Sequence, residues 1–362
     1  MIYIVYLFCL LFLLIIERHQ NNVNNIFRVI IPLVYTLFIG LRGANVGVDT
    51  PVYYEHYYMF GEWGCDFVEV GFDWINRFCY HQGWSQAPFF CICAAFAIVP
   101  VAFAIHKQLT RREYTIYMLL FCTTTFVSLC NGMRQNMACG IFFALLVLMQ
   151  DSTLKKWKRV GIYICGILFA SLFHVSIFFV LPLCFLRYLK MSNRLYLFIY
   201  LASFLMVYTN ISQYIPDISI GVRDYGRYAG GDMTSKAASS LGFIVTSVRN
   251  LLMLILMFKI EAFKKYPMYA NLTFLMFVLA NVGFNIPLMG RLTMYFTFFY
   301  ILLLSKVFTG THLRNSQAGP LVGCLALIII VLSVYGIISP ANNVYPYSFT
   351  WEDNNYIRYL ER

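Results

Sequence analysis

Long apolar runs almost free of charge recur from Ile2 to Ile338, with mostly short polar breaks between them. A spanning helix needs about 20 apolar residues, somewhat fewer where the bilayer thins, and inside lipid every backbone polar group must be satisfied by protein. The chain is therefore expected to fold as an all-α polytopic membrane protein, a single transmembrane domain over residues 1–362 with no separate soluble part. Composition agrees: 60% of residues are hydrophobic and 12% are charged, where soluble proteins carry about 25% charge. The opening run to Ile16 lacks a basic start and a small-residue cleavage site, and reads as a retained first helix.

About twelve spans, give or take two, fit the pattern. They are Ile2 to Ile16, Ile26 to Leu41, Ala87 to Ile105, Tyr114 to Cys130, Met137 to Met149, Val160 to Phe173, Val175 to Leu186, Leu195 to Tyr208, Leu241 to Phe258, Met268 to Phe284, Leu292 to Leu304 and Leu321 to Ile338. The net charge of +11 does not gather into a nucleic-acid groove. Its cations sit in alternate breaks: Arg18; Lys107, Arg111 and Arg112; Lys155, Lys156, Lys158 and Arg159; Arg187, Lys190 and Arg194; Lys259, Lys264 and Lys265; Lys306 and Arg314. Short cytoplasmic loops are enriched in Lys and Arg, so these breaks face inward and both termini face outward. The opposite breaks hold most of the acids, including Asp49, Glu55, Glu62, Asp66, Glu69 and Asp73.

Two outer segments are longer than a helix connection requires, residues 42–86 and 210–240. The first is rich in Tyr, Trp and Phe, which suits amphipathic helices lying at the membrane interface. The eleven cysteines show no zinc-type spacing. Cys65 and Cys79 share one outer loop and could pair there, or serve as apolar filler. No Walker A, GxGxxG, HExxH or GxSxG pattern is present, and neither a metal nor a cofactor is implied.

Chemistry must then come from polar groups at the outer boundary, each costly enough in lipid to need a reason. Asp49 precedes Thr50 and Pro51, so it is either a helix cap or a general base held ionised near Arg42. Glu69 is a second acidic point, or plain solvated surface. Arg134 falls at the outer start of a helix, against the helix dipole, and calls for an anionic partner, whether a loop carboxylate or a ligand. His174 lies at an outer turn, either as a satisfied structural imidazole or as an acid–base group. Arg223 and Arg227 stand in the second long outer loop, and Arg249 lies inside the helix after it. Arg291 and Tyr295, four apart, are expected on one helix face. Several guanidinium groups, a few carboxylates and many tyrosines suit a ligand with an anionic phosphate head, an apolar tail and sugars.

The stretches GLRGANVGVDTPVYYEHY, EVGFDWINRF, NGMRQNMACGIFFAL, FHVSIFFVLP and GRLTMYF resemble the EpsG family of bacterial exopolysaccharide proteins, related to Wzy-type polymerases, along nearly the whole chain. The resemblance implies a GT-C-like bundle that extends a surface polysaccharide (exopolysaccharide, capsule or O-antigen) from undecaprenyl pyrophosphate intermediates on the outer face of the plasma membrane. It implies partners in the lipid-linked oligosaccharide, the bilayer and other assembly proteins such as a flippase or chain-length regulator, with no nucleic acid. Carried onto these residues, Asp49 is the leading base and His174 the second. Arg42, Arg134, Arg249 and Arg291 are candidates for pyrophosphate, and Tyr53 and Tyr295 for sugar or phosphate. The main rival is a flippase or exporter, which would show internal repeats and a polar midmembrane path. An acyltransferase is the third reading, and it would call for a His or Asp base on the inner side.

Overall fold

The computed structural model describes residues 2–19, 26–106, 108–208, 240–285, 291–310 and 318–352. Among these the chain is helical, with no strand and one isolated bridge between Arg42 and Phe349. It divides into two compact units, Met1–Cys184 with Ile329–Arg362, and Phe185–Ile328, a division that hydropathy alone does not reveal.

The first unit is built on α1 (Ile2–His19), α2 (Phe27–Gly40), α3 (Thr50–Phe60), α4 (Val70–His81), α5 (Gln86–His106), α6 (Arg111–Thr124), α7 (Phe126–Asn131), α8 (Met133–Leu148) and α9 (Lys156–Ser171). Its long helices pack at small residues, the route available in lipid, where apolar surface gains nothing by leaving the tails. A Cβ on Gly140 of α8 would lie 2.2 Å from the Ala97 carbonyl oxygen of α5, so the two backbones meet there. Gly40 of α2 is as tight against Cys91, where a Cβ would sit 2.6 Å from the Cα.

Helix ends gather on two opposite faces. On one, Arg28 joins Glu17 at 3.0 Å, donates to the His106 carbonyl at 2.9 Å and lies over the Tyr114 ring, tying the ends of α1, α2, α5 and α6. On the other, Asn131 accepts the Val48 N–H and donates to the Asn342 carbonyl, while Gly71 N–H donates to the Leu172 carbonyl at 2.8 Å. These are the faces that basic-residue alternation separates as inner and outer.

Two local features depart from the sequence expectation. The span expected over Tyr114 to Cys130 breaks at Thr125 into α6 and α7. Thr123, Thr124 and Thr125 each bond back to a carbonyl of the preceding turn, and the Thr125 hydroxyl also meets Tyr35 at 3.1 Å, a pattern that bends helices. The segment Val175–Tyr188 is a 3-10 helix containing Pro182. At roughly 2 Å rise per residue its 14 residues reach about 28 Å, against about 21 Å as an α-helix, so the tighter coil brings a short segment near bilayer thickness. Cys65 and Cys79 remain separate thiols, the second buried and its thiol pushed up to about 11 by that burial.

The second unit contains α10 (Asn193–Leu205), α11 (Ser240–Lys259), α12 (Pro267–Val282) and α13 (Met294–Thr309), and α14 (Gly319–Ile338) runs from it into the first. Buried amides bind its helices: Tyr196 donates to Asn271 Oδ1 at 2.6 Å, Ser247 to Asn281 Oδ1, and Asn281 Nδ2 to Ser203. Four described helices (Ile2–His19, Gln86–His106, Leu241–Lys259 and Gly319–Ile338) are long and apolar enough to cross a membrane, and six shorter ones are apolar. A helical segment overlies each of the expected spans, so the chain is a multi-pass membrane protein.

Candidate functional site

The turn after α2 places the first polar groups. Gly47 holds φ +103°, and a Cβ there would lie 2.8 Å from Asn131 Oδ1, so only glycine fits. Arg42 is fully enclosed beneath this turn. Its Nε donates to Thr50 Oγ1 at 3.0 Å, its Nη1 to the Ile39 carbonyl at 2.7 Å and its Nη2 to the Met133 sulfur, and its guanidinium lies over Phe90. Arg42 thus spends its donors inside the protein, holding the turn that carries Asp49.

Asp49 stands at the N-terminus of α3, half-buried, and its carboxylate makes no capping bond to the helix. One turn on, burial raises the Tyr53 phenol, Arg134 opposes that shift and Asp49 adds to it, which places the three groups in one electrostatic neighbourhood.

Arg134, in the first turn of α8, has the carboxylate partner its position demands. Its Nη1 donates to Glu69 Oε2 at 2.6 Å, with side chains 29% and 13% exposed, and its guanidinium faces the Phe72 ring at 5.8 Å. Glu69 is therefore a part-buried hub rather than solvated surface. Its other oxygen accepts the Val175 N–H at 3.3 Å and lies 3.9 Å from His174 Nδ1. The same His174 nitrogen accepts the Ser176 N–H at 3.2 Å and meets the Ser176 hydroxyl at 3.0 Å. A backbone N–H can only donate, so Nδ1 is the acceptor and a neutral His174 carries its hydrogen on Nε2. In that tautomer the imidazole presents Nε2–H as its donor.

Behind this cluster, His56 of α3 is 8% exposed against Phe60 and Phe72, with Nε2 lacking a hydrogen-bond partner. Burial, aided by Arg134, pushes its pKa down to about 4. The sequence reading passed over His56, whose only signal was its phase inside an aromatic helix.

A second missed element closes the site from the C-terminal side. After α14 the chain turns back across the helix-end face that carries Asp49, where Ser348 accepts the Gly43 N–H, Asn343 accepts the Gly47 N–H, and Thr350 donates its N–H to the Leu41 carbonyl. The Thr350 hydroxyl meets Tyr54 at 3.1 Å and Gln86 at 2.7 Å. Tyr347 stacks on Phe38 at 4.5 Å and donates to its carbonyl.

The remaining candidates lie elsewhere. Arg249, half-buried in α11, donates to its neighbour Asn250 at 2.9 Å and lies over the Tyr300 ring. Arg291 is exposed and precedes a break at Thr293, whereas Tyr295 is fully buried in α13, so the two do not present one face. All three belong to the second unit. Arg223, Arg227 and nearly all of the 210–240 loop lie outside the described residues.

The first unit thus defines a multi-pass membrane protein with a carboxylate, phenol, guanidinium and imidazole cluster at one helix-end face. The chain matches the EpsG family over residues 25–349 and belongs to it, a polysaccharide polymerase-like family. No curated protein and no solved structure matches it.

Proposed function

We propose that this protein is a polymerase of bacterial surface polysaccharide, transferring a growing glycan from undecaprenyl pyrophosphate to a lipid-linked repeat unit at the outer face of the plasma membrane. The observation that carries this reading is the cluster of Asp49, Tyr53, Glu69, Arg134 and His174 at one helix-end face, the face that the basic-residue alternation would turn outward. In the reaction the acceptor hydroxyl oxygen attacks the anomeric carbon, its proton passes to the Asp49 carboxylate, and the anomeric bond to pyrophosphate breaks with its electrons leaving on the lipid pyrophosphate. Arg134 is the part-exposed cation suited to that developing charge, since its fork matches phosphate oxygens. Glu69 aims the fork, His174 Nε2–H adds a further donor, and Tyr53 offers a phenol to phosphate or sugar. Arg42 acts from beneath by fixing the Asp49 turn.

A cell lacking the native copy and carrying Arg134→Ala or Asp49→Asn tests this. The expected outcome is membrane-inserted protein, single repeat units retained on lipid outside, and little long polymer. Polymer of normal length from both variants would sink the reading, and repeat units held inside the cell would favour a flippase instead.

A further inference from the structure

An apolar groove of about 350 Å³ opens between α4, α5 and the end of α9. Its walls include Trp74 and Phe78 of α4, Phe96 of α5, and Phe169 and Phe173 at the end of α9. On α4 the groove-lining residues Val70, Trp74 and Phe78 recur every four positions, and Trp74 is 66% exposed although its helix has a separate buried face of Phe72, Asn76 and Cys79. The Gly71 N–H bond to the Leu172 carbonyl clamps α4 to α9 at the head of the groove. Immediately beyond that clamp stand Glu69, one residue before Val70, and His174, one after Phe173, with Arg134 bonded to Glu69. An apolar channel thus ends at a part-exposed guanidinium and an imidazole donor.

The geometry points to this groove as the seat of the polyprenyl chain of the diphosphate lipid, with its head on Arg134 and His174, an assignment that rests on the polymerase reading. An amphiphile with an anionic head matches both ends. The aromatic walls favour an isoprenoid over a saturated acyl chain on physical grounds. A polyprenyl chain has a rigid double bond in each repeat and so loses fewer rotors when confined, and its branching methyls have flat ring faces to pack on. The volume falls at the lower end of ligand sites, enough for the head-proximal isoprenes with the rest of the tail left in lipid.

The test uses full-length protein in nanodiscs of defined phospholipid with added undecaprenyl diphosphate. A photoreactive phenylalanine analogue at Trp74 is expected to capture the polyprenyl lipid in preference to phospholipid, whereas the same probe at Phe8, exposed on α1, captures the two in their bulk ratio. Trp74→Ala and the groove-filling Phe169→Trp are each expected to weaken undecaprenyl diphosphate binding about tenfold, with Trp74→Phe restoring it. Equal capture at Trp74 and Phe8, or unchanged affinity in well-inserted Trp74→Ala and Phe169→Trp proteins, would overturn the groove assignment and leave the polymerase reading standing. Absence of any undecaprenyl diphosphate binding by the wild-type protein would overturn both.

Discussion

At the scale of single residues, the Glu69 and Arg134 pair makes opposing demands of each side chain that substitution can separate. Glu69→Gln keeps a hydrogen-bond acceptor while removing charge, so Arg134 keeps its place but loses its clamp. Arg134→Lys keeps charge but loses the fork. If the fork binds pyrophosphate, Arg134→Lys should cost more activity than Glu69→Gln, on the order of 10²-fold against about tenfold in polymer extension rate. A purely structural pair predicts the reverse order, because Glu69 also holds the Val175 N–H. His56 yields a pH prediction. Its folded pKa of about 4 lies below the 6.5 of an unfolded histidine, so between those values the unfolded chain binds the extra proton and stability falls as pH drops, then levels below 4. Thermal unfolding from pH 7 to 4 should show this loss, up to about 3 kcal/mol, and His56→Phe should flatten that part of the curve. Neither Glu69 as the Arg134 partner nor His56 was legible beforehand. Sequence marked Arg134 as a cation in need of an anion, but its partner lies 65 positions away and nothing local singled out Glu69 among the outer acids.

At the scale of elements, hydropathy located the helices well because burial in lipid demands continuous apolar runs. It failed where geometry depends on side-chain bonds to backbone. The break at Thr125 comes from three successive hydroxyls bonding back, and the 3-10 form of Val175–Tyr188 leaves no mark in an apolar average. The C-terminal return was likewise invisible, since its contacts are mostly main-chain bonds to the Leu41 to Gly47 turn. Ending the chain at Ser339 should leave a protein that inserts but melts earlier. The loss of three backbone bonds and the Tyr347 stack is worth roughly 3 to 4 kcal/mol. Polymerisation should fall with it, because the Asp49 turn loses the support of these bonds. Thermal unfolding in detergent together with polymer length checks both effects, and unchanged length would detach the return from the site. Packing between elements gives a sharper case. Gly140→Leu drives a side chain into the Ala97 carbonyl and should abolish accumulation of folded protein, whereas Gly161→Leu, where an added Cβ meets nothing within 4 Å, should be tolerated.

At the scale of the whole molecule, the sidedness of the first unit follows from two polar clusters on its opposite helix-end faces. Glu17 is fully buried and paired with Arg28, so it forms a latch rather than a loop charge, and removing either partner alone should cost about 3 to 5 kcal/mol by stranding a buried ion. The Asp49 to His174 cluster lies beyond the far end of α2, at the start of α8 and just after α9. Since each helix connects one cluster's face to the other's, fixing the side of a single loop fixes them all. Cys65 is part-exposed between α3 and α4, on the cluster's face, and Thr153 is exposed between α8 and α9, on the latch's face. A membrane-impermeant thiol reagent added to intact spheroplasts should label Cys65 in the wild type and lose that labelling in Cys65→Ser. In a Cys65→Ser, Thr153→Cys protein, labelling should require permeabilised membranes. The rule that Lys and Arg stay inside demands this order, because Lys155, Lys156, Lys158 and Arg159 follow Thr153 directly. The opposite order would put the cluster in the cytoplasm, where an exported repeat unit never arrives, and the extension chemistry would then have to act before export.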